Sequence, residues 1–253
     1  MANRSSNDTK MSKKRIHIGT SGWHYAHWKG PFYPEDFASE RFLSWYADRF
    51  STVEVNNTFY KVPEEKTLRG WKKSVSPDFI FSVKASRYIT HMKKLKDSRK
   101  PVANFLDQIQ VLGDKIGPVL FQLPPNWKVN PGRLKAFLDC LPGERRYAFE
   151  FRDPSWFDKR VYNLLERKGA AFCIYDFDRR QSPKEITSDF VYIRLHGPDG
   201  AYKGQYSTQC LDGWAGALSA WIGEVDEVFC YFDNDQEGFA AQDAMKLQKM
   251  LED

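Results

Sequence analysis

A single closed (β/α)8 barrel of the TIM type is the fold this sequence predicts, and three observations predict it. The 253 residues suit one barrel of ordinary size. Strand signals alternate with helix-length amphipathic stretches about eight times, the arithmetic of eight β/α units. Within the strands one side is apolar throughout, while the other turns polar toward the carboxyl end. An open sheet covered by helices on both faces would be apolar on both. A barrel with helices only outside leaves an inner upper layer free to be polar, and that layer is where such folds hold substrates.

The elements follow in order. Residues 1–14 are rich in Ser, Asn and Lys with no apolar run, so a disordered tail is expected ahead of a barrel domain at 15–253. Ile16–Thr20 reads as a short strand, followed by an aromatic loop, Ser21–Phe37, and a helical pattern over Glu40–Phe50. In Val53–Asn56 the valines alternate with Glu54 and Asn56 at strand period. Pro63 and Glu64 open a helix with Leu68 and Trp71, Phe79–Lys84 is a third strand, and Arg99–Leu112 carries Val102, Phe105, Leu106 and Ile109 on one helical face. Gly117–Leu123 is a strand stopped by two prolines, and Pro131–Leu141 a helix with proline at its start. Arg146–Arg152 is the fifth strand, Ser155–Lys168 a helix ended by Gly169, and Ala171–Asp176 the sixth strand. Phe177–Ser188 is interrupted by proline, which makes the sixth crossover irregular. Phe190–His196 and Glu227–Asp233 complete the strands, with helices over Leu211–Ile222 and Gly238–Leu251.

The bulk properties bound the function loosely. A net charge of +5 permits an anionic partner without demanding one. Cys140, Cys173, Cys210 and Cys230 form no CxxC pair, which argues against structural zinc or a dense disulfide framework. No run approaches the roughly 18 apolar residues of a membrane span, so no membrane partner is expected. A cytoplasmic location is the expectation. There is no GxGxxG, GxxxxGK[ST] or GxSxG, hence no sign of a nucleotide cofactor or a hydrolase serine.

Parity places Glu54, Asn56, Ser82, Lys84, Gln122, Glu150, Arg152, Tyr192, Arg194 and His196 on the polar side, and Asp176 and Asp233 lie at strand ends. Charged groups are rarely buried unless paired or bound to a ligand. The plain alternative is an internal ion-pair network, Glu150 with Lys84 and Arg194 with Asp176, that only closes the barrel. As a site, Glu54 and Glu150 are candidates for general base and acid. Lys84, Arg152 and Arg194 could clamp a phosphate or carboxylate, and His196 could transfer a proton. His91, just past the third strand, is a second histidine candidate. Glu54, Glu150, Asp176, His196 and Asp233 are donors a divalent metal would accept, but no fixed ligand spacing is present and the basic residues would compete with it. Trp23 and Tyr25 in the aromatic loop could stack a base or sugar, whereas for Trp28, Phe32 and Tyr33 a hydrophobic plug is the plainer reading. The run Lys93-Lys94-Leu95-Lys96 reads as a solvated face, with nucleic-acid contact as the alternative.

The segments IHIGTSGWHYAHWKGPFYP, VEVNNTFYKVP, FSVKASRYITH, GPVLFQLPP, AFEFRDPSW and VYIRLHG together resemble the YecE-like family, domain-of-unknown-function family 72. The resemblance runs from about Ile16 to the end with its motifs in order. It implies a TIM barrel and shared polar positions at Glu54, Asn56, Lys84, His91, Gln122, Glu150, Arg152, Arg194 and His196, but it brings no reaction with it. The expected function is an enzyme using acid-base chemistry on a small polar, anionic substrate at the carboxyl-terminal barrel mouth. Two alternatives stand beside it: a metal-dependent phosphodiesterase acting on nucleic acid, and a non-catalytic module that binds nucleic acid or protein.

Overall fold

Alternating apolar residues on each strand need a helix layer on one side only, and the chain meets that need by curling its sheet around itself. The computed structural model describes residues 15–252, so the tail expected at 1–14 lies outside the described residues. The strands are β1 (Arg15–Thr20), β2 (Thr52–Val55), β3 (Ile80–Lys84), β4 (Ile116–Gln122), β5 (Tyr147–Glu150), β6 (Ala171–Phe177), the two-residue β7 (Arg180–Gln181), β8 (Phe190–Leu195) and β9 (Glu227–Phe232). All but β7 run parallel in the order β1-β9-β8-β6-β5-β4-β3-β2. The barrel is nearly closed. At the β1/β2 seam only one parallel bridge, Ser21 with Glu54, joins the strands, backed by the Gly22 amide donating to the Glu54 carbonyl at 2.8 Å. Gly19 makes this approach feasible, because a Cβ there would collide with the carbonyl oxygen of Thr52.

The helices are α1 (Phe42–Ala47), α2 (Glu65–Lys73), α3 (Arg99–Ile109), α4 (Pro131–Leu138), α5 (Lys159–Lys168), α6 (Thr208–Trp221) and α7 (Phe239–Glu252). Several are shorter than the periodicity predicts, for local reasons. The helix expected from Ser155 starts only at Lys159, because Asp158 caps it by accepting from the Arg160 amide at 2.8 Å. The α3 pattern breaks into a 3-10 stretch, Gln110–Lys115, that includes Gly113 at φ 63°. The sixth crossover has no helix: β6 turns back on itself as a hairpin with β7, in line with the irregularity read from the sequence.

The apolar strand faces lie under the helices. Val53, Val55, Phe81, Val83, Val119, Phe121, Phe149, Phe151, Val191, Ile193 and Leu195 are all buried. Inside the barrel a second, smaller core contains Leu120, Ala148, Cys173, Phe190, Tyr192, Phe229 and Tyr231. This inner packing is a filled floor, on which polar side chains from the strand ends rest. Trp28, Phe32 and Tyr33 are buried and form the plug expected of them.

Candidate functional site at the barrel mouth

Strand period two carries Glu54, Glu150, Arg194 and Asp233 to the same inner layer. Arg194, fully buried, is their common partner. Its Nε and Nη2 donate to Glu54 Oε1 at 3.1 and 2.8 Å, Nη1 to Glu150 Oε2 at 2.8 Å, and Nη2 to Asp233 Oδ2 at 2.8 Å. Glu54 is further held by Ser21 Oγ on Oε1 at 2.6 Å and Tyr192 Oη on Oε2 at 2.7 Å. Burial alone would raise the Glu150 carboxyl, but the guanidiniums of Arg152 and Arg194 outweigh it and hold it well below the usual carboxylate range.

His196 is also fully buried. Burial, then Arg194 and Arg152, push its imidazole well below its ordinary range, so the ring is neutral. Its Nε2 lies 3.1 Å from Arg152 Nη2 and 3.3 Å from Arg194 Nη1 and accepts from both. The ring proton is therefore on Nδ1, 2.9 Å from Asp233 Oδ2 but off the line of a good hydrogen bond.

Above this layer lies a cavity of about 280 Å³ lined by Asn56, Phe59, Lys84, His91, Gln122, Tyr202 and Asp233 among others. A π-helical turn, Tyr88–Met92, brings His91 to it, where Thr90 Oγ1 and His91 Nδ1 are 2.9 Å apart. Lys84 makes no ion pair among the described residues, because the carboxylates around it are engaged by Arg194. Its ammonium sits 4.7 Å from the centre of the Phe59 ring. Burial and the Arg194 charge lower its pKa, and Glu54, Glu150 and Asp233 oppose them. Burial raises the Asp233 carboxyl despite Arg194. Asn56 Oδ1 and Gln122 Oε1 are buried without a hydrogen-bond partner among the described residues.

The family described as "Protein of unknown function DUF72" matches residues 17–253. The chain belongs to the DUF72 family. UPF0759 protein YecE of Escherichia coli (strain K12) is 33% identical over 147 residues, which is 57% of this chain and 51% of YecE, so the chain spans about half the length of that relative. UPF0759 protein YunF of Bacillus subtilis (strain 168) is 24% identical over 94% of this chain and 95% of its own. A crystal structure of a DUF72 family protein from Thermotoga maritima MSB8 superposes with a TM-score of 0.87 at 29% identity, covering 94% of this chain and all of that one. A second, from Enterococcus faecalis V583, gives 0.82 at 20% identity over 94% and 95% and speaks for the fold alone.

In this DUF72 chain not every expected residue reaches the mouth. Asp176 does not: Ala171, Cys173 and Tyr175 occupy the inner side of β6, and Asp176 faces the helices, where Tyr206 Oη donates to it at 3.4 Å. Arg194 accordingly pairs with Glu54, Glu150 and Asp233, not with Asp176. Trp23 is buried edge-on against Trp71, with centroids 4.8 Å apart. It and Tyr25 line a separate cavity of about 470 Å³ beside the β1/β2 seam, to which Asn56 also contributes. For a metal, the space between Glu54, Glu150 and Asp233 is filled by the Arg194 guanidinium, and among the described residues no group of three or more His, Cys, Asp or Glu is placed to hold one.

Beyond the expected set, Ser21 and Tyr192 brace Glu54 and Phe59 lines the mouth cavity. Tyr192 shares the parity of Arg194 and was within reach of the strand pattern. Ser21 and Phe59 lie in loops, where no period points inward.

Proposed function

We propose that this DUF72 protein is an enzyme that applies acid-base chemistry to a small anionic substrate seated at the barrel mouth. The observation that carries the proposal is Lys84, a largely buried ammonium that lines the mouth cavity without a carboxylate partner. A buried charge without a partner is costly, and a phosphate or carboxylate on the substrate would supply the missing partner. Asp233, whose Oδ1 has no partner among the described residues and whose carboxyl is lifted by burial, is suited to hold or move a proton beside that anion. His91 is a second proton carrier on the same wall. The amide oxygens of Asn56 and Gln122 would accept from substrate hydroxyl or amino groups.

On this reading Glu54 and Glu150 position Arg194 and Arg152 rather than exchanging protons themselves, since Glu54 has both oxygens engaged below the cavity floor. The surface reading, nucleic-acid contact through Lys93, Lys94 and Lys96, draws on side chains that are half-buried at Lys93 and exposed at Lys94 and Lys96. The four cysteines are free, which fits a reducing compartment such as the cytoplasm, and among the described residues no helix is long and apolar enough to cross a membrane.

The test is calorimetric titration with inorganic phosphate, followed by a turnover screen on phosphorylated and carboxylated small molecules. Lys84→Met should abolish phosphate binding while keeping the far-UV spectrum and melting transition of a folded barrel. Asp233→Asn should bind phosphate yet lose turnover. Binding should also weaken as pH rises, before an ordinary lysine would deprotonate, because the Lys84 pKa is lowered. Phosphate binding that survives in Lys84→Met would sink the proposal.

A further inference from the structure

We propose that the cavity beside the mouth, walled by Phe157, Tyr175 and Phe177, is a second subsite that holds a flat ring of the molecule whose anionic group sits over Lys84. The inference rests on the mouth reading and adds to it the class of substrate: an aryl or heteroaryl ring bearing a phosphate or carboxylate.

The side cavity has a volume of about 390 Å³, within the range of small-molecule sites. Gln122 and Tyr202 line both it and the mouth cavity, so one ligand can occupy the two. Their chemistries differ in the way a two-part ligand requires. The mouth presents Lys84, His91 and Asp233, whereas the side cavity is walled largely by rings and prolines.

Gln122, Asp178, Arg180 and Gln181 also line it, but its buried polar element is Arg152, whose side chain is only 6% exposed and whose Nε pairs with Glu150 Oε1. The guanidinium carbon lies 3.8 Å from the centre of the Phe177 ring and 5.1 Å from that of Tyr175. Nη2 is bound to His196 at 3.1 Å, but Nη1 is buried with no hydrogen-bond partner among the described residues. A buried guanidinium nitrogen left without an acceptor loses its water for nothing unless a ligand provides one. A planar guanidinium already stacked on one ring also offers a flat surface to another.

The wall is built by the hairpin that replaces the sixth helix. Phe177 pairs with Arg180 across the turn, which holds the Phe177 ring over the space that a helix would have left open. Phe177 continues the inward parity of Cys173 and Tyr175, so β6 lines the cavity in two successive layers.

The experiment compares inorganic phosphate with phenyl phosphate by calorimetry on the full chain. Phenyl phosphate should bind about tenfold tighter or better, as burial of one ring allows. In Phe177→Ala, which removes the wall, and in Arg180→Trp, which fills the cavity from its exposed rim on the face shared with Phe177, the two ligands should bind alike. If phenyl phosphate binds no tighter than phosphate while Lys84→Met still abolishes phosphate binding, the second subsite is overturned and the mouth reading stands. A phenyl advantage that persists in both cavity variants also overturns it, since the ring then binds elsewhere. If neither ligand binds in a Lys84-dependent way, the mouth reading fails and the subsite fails with it.

Discussion

Arg194 is the residue on which the upper barrel turns. Its guanidinium is shared by three carboxylates in a buried layer, and so its removal does more than delete contacts. Glu54, Glu150 and Asp233 would be left as buried like charges. Breaking a buried pair by removing one partner costs about 3–5 kcal/mol. Arg194→Met should therefore lower the urea-unfolding free energy at neutral pH by about that amount, whereas a loss under 1 kcal/mol would mean that the layer is hydrated or already protonated. This residue also marks what strand period can and cannot reveal. Alternation placed Glu54, Lys84, Glu150, Arg152, Arg194 and His196 on the inner side, because each strand is read from its own neighbours. It could not pair Arg194 with Glu54, 140 residues away, since only closure of the barrel brings them together. Asp176 misses the mouth for a different reason: it lies at a strand end, but its parity is opposite to that of Cys173 and Tyr175, so it turns toward Tyr206.

At the level of elements, the β6–β7 hairpin is the departure from a regular barrel. Its two-residue turn puts Asp178 at φ 51° and Arg179 at φ 60°, as a hairpin turn that follows the strand twist requires. Asp tolerates this left-handed region, while Arg there carries a steric cost of roughly 1–2 kcal/mol. Glycine would remove that cost and give back about 0.5–1 kcal/mol through its freer unfolded chain. Arg179→Gly should thus stabilise the protein by about 0.5–1 kcal/mol in urea unfolding and create the Asp-Gly pair typical of such turns. A measured destabilisation would show that Arg179 makes a contact worth more than its backbone strain. The sequence announced the missing helix through Pro183 but not the hairpin, because Asp-Arg lacks the Asn-Gly or Asp-Gly signature. Without the hairpin the cavity wall made by Phe177 could not be foreseen either.

For the whole molecule, the barrel buries a neutral histidine at each end, and this sets its response to acid. At the top His196 is kept neutral by burial and by Arg194 and Arg152. At the bottom His17 stacks on Phe229 with centroids 4.7 Å apart. Burial, then Arg146 and Arg15, lower its pKa to about 4, although Glu227 Oε1 lies 3.1 Å from its Nε2. Burial is the largest cause, and the charge of Arg146, which itself pairs with Glu227, adds to it. Between pH 6.5 and about 4 the unfolded chain therefore binds a proton at residue 17 that the folded chain refuses. Stability rises with pH wherever the unfolded state holds more protons, so this group stabilises fully above 6.5 and loses that contribution as pH falls through the window. One proton is worth about 1.4 kcal/mol per pH unit, which bounds the effect at roughly 3 kcal/mol by pH 4. Carboxyls lifted by burial, such as Asp233 and Asp176, take up protons in the folded state and act in the opposite sense, so the wild-type profile alone does not isolate His17. The difference between wild type and His17→Phe does, because phenylalanine keeps the stack on Phe229 and cannot titrate. In urea unfolding at a series of pH values, wild type should lose stability relative to His17→Phe from pH 6.5 down to 4. Parallel profiles would mean that His17 accepts its proton as readily in the barrel as in the unfolded chain.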